Sequence, residues 1–145
     1  DQVESIYEEK KRVANELMLQ MNPQHYFDKR QMFDSLVSAG KKIAIVTNAN
    51  GESTRMLLDH LDFMKYLDVL VTNSDVVTPK PHPEPYIRAL MQLARIGCDL
   101  EECIIFEDSA VGLEAARATG ASVHEVKRWQ DVNYGLVADL IRRAG

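Results

Sequence analysis

The chain has 145 residues, 46% of them hydrophobic and 27% charged, with a net charge of −5. That length holds one domain with its own core, and the composition is that of an ordinary globular protein. The acidic balance argues against nucleic acid or an anionic membrane surface as a partner, and no apolar run is long enough to span a bilayer.

Residues 1–21 read as a helix. Val3, Ile6, Tyr7, Val13, Leu17, Met18 and Met21 fall near one face, and Asn22-Pro23 closes it. A second helix is expected over about Phe27–Ser38, with Phe33, Leu36 and Val37 as its apolar face and Gly40 as its stop. Lys42–Asn48 is the first strand. Its near-continuous run Ile43-Ala44-Ile45-Val46 suits a parallel strand covered on both faces. It ends in Thr47-Asn48-Ala49-Asn50-Gly51. A hydroxyl and an amide at the carboxyl end of a buried strand, ahead of a helix, suit a phosphoryl oxygen. A plain cap by Asn50 or Ser53 on that helix, about Glu52–Leu61, is the alternative.

Asp68–Thr72 is the second strand, followed by the polar loop Asn73-Ser74-Asp75. Next comes Thr78-Pro79-Lys80-Pro81-His82-Pro83-Glu84-Pro85. Each proline fixes its own φ and biases its predecessor toward an extended form, so the segment is stiff. It can present the Lys80 ammonium in one place, where it would neutralise phosphate charge; a solvated loop lysine is the alternative. His82 has no partner His or Cys at metal-site spacing. Pro83 and Pro85 suit the first turn of a helix over about Glu84–Ile96.

The stretch Glu101–Gly120 organises the rest. Cys103–Phe106 reads as a short buried strand that stops at two adjacent carboxylates, Glu107 and Asp108. Ser109 and a helical pattern through Val111, Leu113, Ala115, Ala116 and Ala118 follow, closed by Gly120. In an open α/β sheet the ligand crevice lies at the carboxyl ends of the strands. Carboxylates there suit Mg²⁺, which needs only one or two of them. Adjacent strand residues point to opposite faces, so the pair converges on one ion only if the chain has already left the strand. Asp108 or Ser109 acting as a plain helix cap is the alternative. Ser122–Val126 gives a last strand, and Trp129 precedes a terminal helix over Tyr134–Ile141. This alternation predicts βαβ units and a parallel sheet. Cys98 and Cys103 lack zinc-site spacing. Cys103 is expected to be a reduced core thiol, which favours a cytoplasmic location.

Thr47-Asn48 at a strand end, Lys80 in K-P-H-P-E-P, and Glu107-Asp108-Ser109 followed by A-V-G-L-E-A-A-R-A-T-G-A resemble three motifs of one family. They look like the second, third and fourth motifs of the haloacid dehalogenase (HAD) superfamily, in the family's order. The match is nearest to the branch of β-phosphoglucomutase-like enzymes and small-molecule phosphatases, and it covers the chain from about Phe27 onward. The resemblance implies an α/β, Rossmann-like core over residues 23–145, with a parallel sheet and flanking helices. Residues 1–22 would then be the remnant of a helical cap over the substrate. It also implies roles. Thr47, helped by the backbone amide of Asn48, would hydrogen-bond the transferring phosphoryl group. Lys80 would pair with its oxygens and steady the nucleophile. Asp108 would bind Mg²⁺, with Glu107 as a direct or water-mediated second ligand and Ser109 in support. The implied activity is Mg²⁺-dependent phosphoryl transfer on a small phosphorylated metabolite, as phosphatase or phosphomutase. Neither nucleic acid nor membrane is an expected partner.

One motif has no counterpart. The family's first strand ends in D-x-D, whose first Asp is the nucleophile, and no apolar strand followed by D-x-D occurs here. Asp28, Asp59, Asp62, Asp68 and Asp75 stand in other settings. The implied core is therefore incomplete. It lacks its central strand, between the strands ending at Thr47 and Phe106. The two halves must pair directly, or borrow a strand from a missing N-terminal segment or another chain. Covalent catalysis through an aspartyl phosphate is expected in a complete parent protein. Two other classes remain open: a non-catalytic HAD-fold binding or regulatory module, and a flavodoxin-like or response-regulator-like domain with an acidic cap. Convergence of Thr47, Lys80 and Asp108 on one pocket separates them.

Overall fold

Side chains that alternate between two faces along short strands set the layers of the described part of the molecule. The computed structural model describes residues 23–144; the helix read over residues 1–21 and the cap segment 1–22 lie outside the described residues. Strand β1 (Ala44–Val46) runs parallel to β2 (Val69–Val71), with Ala44 opposite Val69. Strand β3 (Ile104–Glu107) runs parallel to β4 (Ser122–Glu125), with Glu107 opposite Glu125. Parallel pairing is as expected, but among the described residues the pairs form two separate two-stranded sheets. The halves do not pair directly.

Among the described residues, five helices flank them: α1 (Pro23–Ser38), α2 (Gly51–His60), α3 (Glu84–Arg95), α4 (Ala110–Arg117) and α5 (Tyr134–Ala144). Successive strand residues point to opposite faces. Ile43 and Ile45 accordingly enter a core with Met32 and Phe33 of α1, Leu58 of α2 and Val137 of α5. Val46 and Ile105 turn the other way, onto Tyr86 of α3 and Ala115 and Ala116 of α4. Phe106 returns to the first core. Helices α1 and α5 touch each other on one face, and α3 and α4 on the other. Each helix layer thus spans both half-sheets. Each fully buried Val, Ile or Phe contributes about 1.5–3 kcal/mol, against about 0.5–1.5 kcal/mol net for a hydrogen bond. The halves are therefore held together by their helix layers.

Several boundaries differ from the sequence reading. Helix α1 starts at Pro23 instead of Phe27, because proline's fixed φ and missing N–H cost nothing in a first helical turn. Its buried face runs through Lys29, Met32, Phe33 and Leu36, which leaves Val37 51% exposed. Val111 is likewise exposed on α4. Cys103 is half-buried and lies just outside β3. Its N–H closes a single helical turn on Leu100 O, so pairing with β4 starts one residue later, at Ile104. No described helix is long and apolar enough to cross a membrane.

Candidate active site

The expected site residues sit where the strands end. Thr47 follows β1, half-buried, and its Oγ1 accepts the N–H of Ala49 at 3.1 Å. Asn50 caps α2, accepting from the N–H groups of Glu52 and Ser53. The exposed Asn48 has another task. Its Oδ1 accepts the N–H of Lys80 at 3.2 Å, and its Nδ2 donates to Lys80 O at 3.5 Å.

That double contact is one of several that fix the Lys80 loop. At its start, Asp75 Oδ2 accepts from Thr72 N at 2.8 Å and from Thr72 Oγ1 at 3.0 Å. The Thr72 N–H bond holds the Asp75 carboxyl below its usual range. At its end, Glu84 accepts from the N–H groups of Val77 and Thr78 at 2.9 and 3.1 Å and pairs with Arg88 at 2.8 Å. His82 Nδ1 accepts the N–H of Glu84. The Lys80–Pro81 peptide bond is cis. Backbone clamps thus reinforce the stiffness expected from the prolines.

The Lys80 ammonium lies between the two half-sheets. Its Nζ donates to Val46 O at 3.1 Å, the last residue of β1, and to Glu107 Oε2 at 2.9 Å, the last residue of β3. An ammonium has three N–H donors, so one is left over. Lys80 therefore joins the strand end beside Thr47 to the strand end beside Asp108, with its side chain 8% exposed.

The two adjacent carboxylates are not equivalent. Glu107 shares the face of Ile105, two residues back, and points onto α3 and α4, where it is buried. Its Oε2 accepts from Lys80 and from the Tyr86 hydroxyl; its Oε1 accepts from Asp108 N at 3.1 Å, Ser109 N at 3.3 Å and Ser109 Oγ at 3.2 Å. Burial pushes its carboxyl up, but the hydrogen bonds from Tyr86 and Lys80 and the Lys80 charge outweigh that and hold it at about 2. Gly112 is required beneath it, since a Cβ there would fall inside the carboxylate. Ser109 both supports Glu107 and caps α4 through the N–H of Gly112 at 3.0 Å. Asp108 lies one residue past the strand, exposed.

These positions decide what a hard cation finds here. Groups of three or more His, Cys, Asp or Glu side chains do not converge among the described residues, so a cation would keep several waters, as Mg²⁺ usually does. The Asp108 carboxylate is available for such a cation. Glu107 can serve directly only by giving up one of its present donors. Tyr86 is the residue that the motif pattern did not single out. It reads as one more apolar position of α3, and its hydroxyl partner lies 21 residues away. Burial first, and Glu107 next, raise its phenol well above the usual range, so it remains a donor.

Comparison with known proteins bears on this arrangement. The family model described as haloacid dehalogenase-like hydrolase matches residues 1–126. A phosphorylated carbohydrates phosphatase of Thermotoga maritima is 37% identical over 115 residues, covering 79% of this chain and 50% of that protein. A phosphoglycolate phosphatase of Salmonella typhi is 34% identical over 106 residues, covering 73% of this chain and 40% of that protein. A solved β-phosphoglucomutase-like structure from Thermotoga maritima superposes with a TM-score of 0.65 at 26% identity, over 86% of this chain and 61% of that one. The chain thus spans half or less of the length of these two curated relatives.

Proposed function

The chain belongs to the haloacid dehalogenase-like hydrolase family, and on that premise we propose that it supplies the phosphate-binding and cation-binding part of a phosphoryl-transfer site. The reaction is hydrolysis or intramolecular transfer of a phosphoryl group on a small phosphorylated metabolite. The observation that most supports this reading is the Lys80 ammonium held between the ends of β1 and β3 with only two oxygen acceptors for its three N–H donors. Phosphatase relatives at 37% and 34% identity support the same class of substrate.

The chain's own residues divide the work. Lys80 gives its remaining N–H to a phosphoryl oxygen. Thr47 turns its hydroxyl to the same group, and the Asn48 side chain holds the Lys80 backbone still. Asp108 holds Mg²⁺, with Glu107 behind it to fix the ammonium. Bound Mg²⁺ adds charge neutralisation of the phosphoryl oxygens. Positioning and electrostatics make up nearly all of catalysis in this reaction class. The nucleophilic Asp comes from outside these 145 residues, on a strand filling the gap between β1 and β3. It would form an aspartyl phosphate.

The test is turnover of p-nitrophenyl phosphate by the complete protein, with and without Mg²⁺. Hydrolysis should require Mg²⁺ and be lost in Asp108→Ala and in Lys80→Ala. Turnover that survives both substitutions defeats the reading. The absence of D-x-D from the sequence favours a second reading, a HAD-fold module that binds phosphate and Mg²⁺ without chemistry. Binding of inorganic phosphate in a titration, with no turnover of p-nitrophenyl phosphate, would identify it.

A further inference from the structure

Tyr86 stands among the strand ends although no expected role accounts for it. Helix α3 presents it on its buried face with Ala89 and Leu93, three and seven residues on. It is 5% exposed. A residue serving only to fill that space needs no hydroxyl, because phenylalanine has the same shape. The hydroxyl nevertheless donates to Glu107 Oε2, the oxygen that also accepts from Lys80. The face of the Tyr86 ring lies 4.7 Å from Lys80 Nζ, within the range of a cation–π contact.

We propose that Tyr86 is a positioning residue for the Lys80 ammonium. By occupying Glu107 Oε2 with its hydroxyl and backing the ammonium with its ring, it keeps that carboxylate from neutralising Lys80, so that one charged N–H faces a phosphoryl oxygen. This rests on the phosphoryl-binding reading above. Charge explains why it works. A carboxylate that loses a donor presents more of its negative charge to its surroundings. Without the hydroxyl, Glu107 draws Lys80 closer and repels an incoming oxyanion, and both effects weaken anion binding. A ring alone would preserve packing and the cation–π contact but not this balance.

The experiment is calorimetric titration of the full chain with inorganic phosphate in the presence of Mg²⁺. It compares the unsubstituted protein, Tyr86→Phe, Glu107→Gln and the double variant. Tyr86→Phe should weaken phosphate binding roughly tenfold, the size of one hydrogen bond to a charged group. In the Glu107→Gln background the same substitution should cost less than about twofold, because the charge through which Tyr86 acts is gone. An equal loss in both backgrounds marks a packing role and overturns the proposal, as does no loss in either. Phosphate binding that is undetectable in the unsubstituted chain, or detectable but unchanged by Lys80→Ala, overturns the phosphoryl-binding reading itself, and this inference with it. Should Tyr86→Phe fail to fold, 3-fluorotyrosine incorporation leaves the chain otherwise intact. The chain has five tyrosines, and Tyr86 is assigned by substituting the other four. Its ¹⁹F resonance should move on phosphate addition; a resonance that stays put while phosphate binds overturns the proposal.

Discussion

Among the described residues, two lysine side chains lie buried in settings that look alike but differ in their electrostatics. Lys29 on α1 is 4% exposed and donates to Trp129 O at 2.6 Å and to Val132 O. The Trp129 ring lies 4.6 Å from its Nζ. Lys80 donates to Val46 O and Glu107, with the Tyr86 ring 4.7 Å away. Each ammonium therefore has two oxygen acceptors and one aromatic ring. The difference is the charge of one acceptor. Lys29 faces backbone dipoles, with Asp28 and Asp131 acting only as nearby charges, and burial lowers its pKa to about 8. Lys80 faces a full carboxylate whose own charge is secured by further donors. Backbone carbonyls suffice for a staple, and Lys29 ties α1 to the segment between β4 and α5. On the proposed reading, Lys80 is placed for use by a counter-charge that is itself held in check.

The largest expected effect tests whether that counter-charge matters as much as this contrast says. Glu107→Ala removes the acceptor of Lys80, Tyr86 and Ser109 together. Breaking a buried pair from one side costs about 3–5 kcal/mol, because the remaining charge is left unpaired. Lys29→Met removes a donor from two carbonyls, for a loss of about 1–3 kcal/mol. Urea denaturation of both variants should rank them in that order. A larger loss in Lys29→Met would break the comparison, since the staple would then be the more costly of the two.

How much of this was legible beforehand follows from how local each feature is. The strand ends were readable because short apolar runs and the residues that break them are adjacent in sequence. Thr47 and the Glu107-Asp108 pair could accordingly be placed at strand ends from the sequence, with Lys80 in the stiff loop that follows β2. The unequal fates of the two carboxylates were not. The apolar run stopped at Phe106, yet pairing with β4 carries the strand through Glu107, and that single residue decides which carboxylate turns inward. Tyr86 looked like core because nothing near it in sequence reveals the partner of its hydroxyl. Lys29 was hidden for the same reason, with acceptors 100 and 103 residues away. The half-sheets were foreseeable only as a gap, since strand pairing joins distant segments and the helices that span the gap belong to both halves.

The second effect separates the two lysines by pH. The Glu107 carboxyl is held at about 2 in the folded protein. Its contribution is present above its ordinary range near 4.5 and fades as pH falls through that value toward 2. Lys29 behaves oppositely. Its charged form is disfavoured on folding, so the unfolded chain binds the proton more tightly, and stability from this group rises as pH climbs from about 8 toward 10.5. Each arm is worth about 3 kcal/mol at full extent. The stability difference between the unsubstituted protein and Glu107→Gln should therefore shrink in acid. The difference from Lys29→Met should widen in mild alkali. Parallel curves at both ends would show that the two sites are electrostatically alike, against the contrast drawn here.

The smallest effect is the sharpest, because it matches two tethers of similar strength. Asn48 holds the Lys80 backbone by two hydrogen bonds of 3.2 and 3.5 Å. Asp28, beside Lys29, accepts the N–H of Tyr134 at 3.2 Å and so pins the first residue of α5. Each tether is exposed or only partly buried, and Asn48→Ala and Asp28→Ala should each cost about 1 kcal/mol of stability. Their effects on inorganic phosphate binding should diverge. Loosening the Lys80 backbone lets the ammonium wander from its place between the half-sheets, and affinity should fall several-fold in Asn48→Ala. Loosening α5 leaves Lys80, Val46 and Glu107 where they are, and affinity should hold in Asp28→Ala. Equal affinities in the two variants, at equal stability loss, would mean that phosphate does not report on Lys80. The resemblance between the two lysines would then extend to their function.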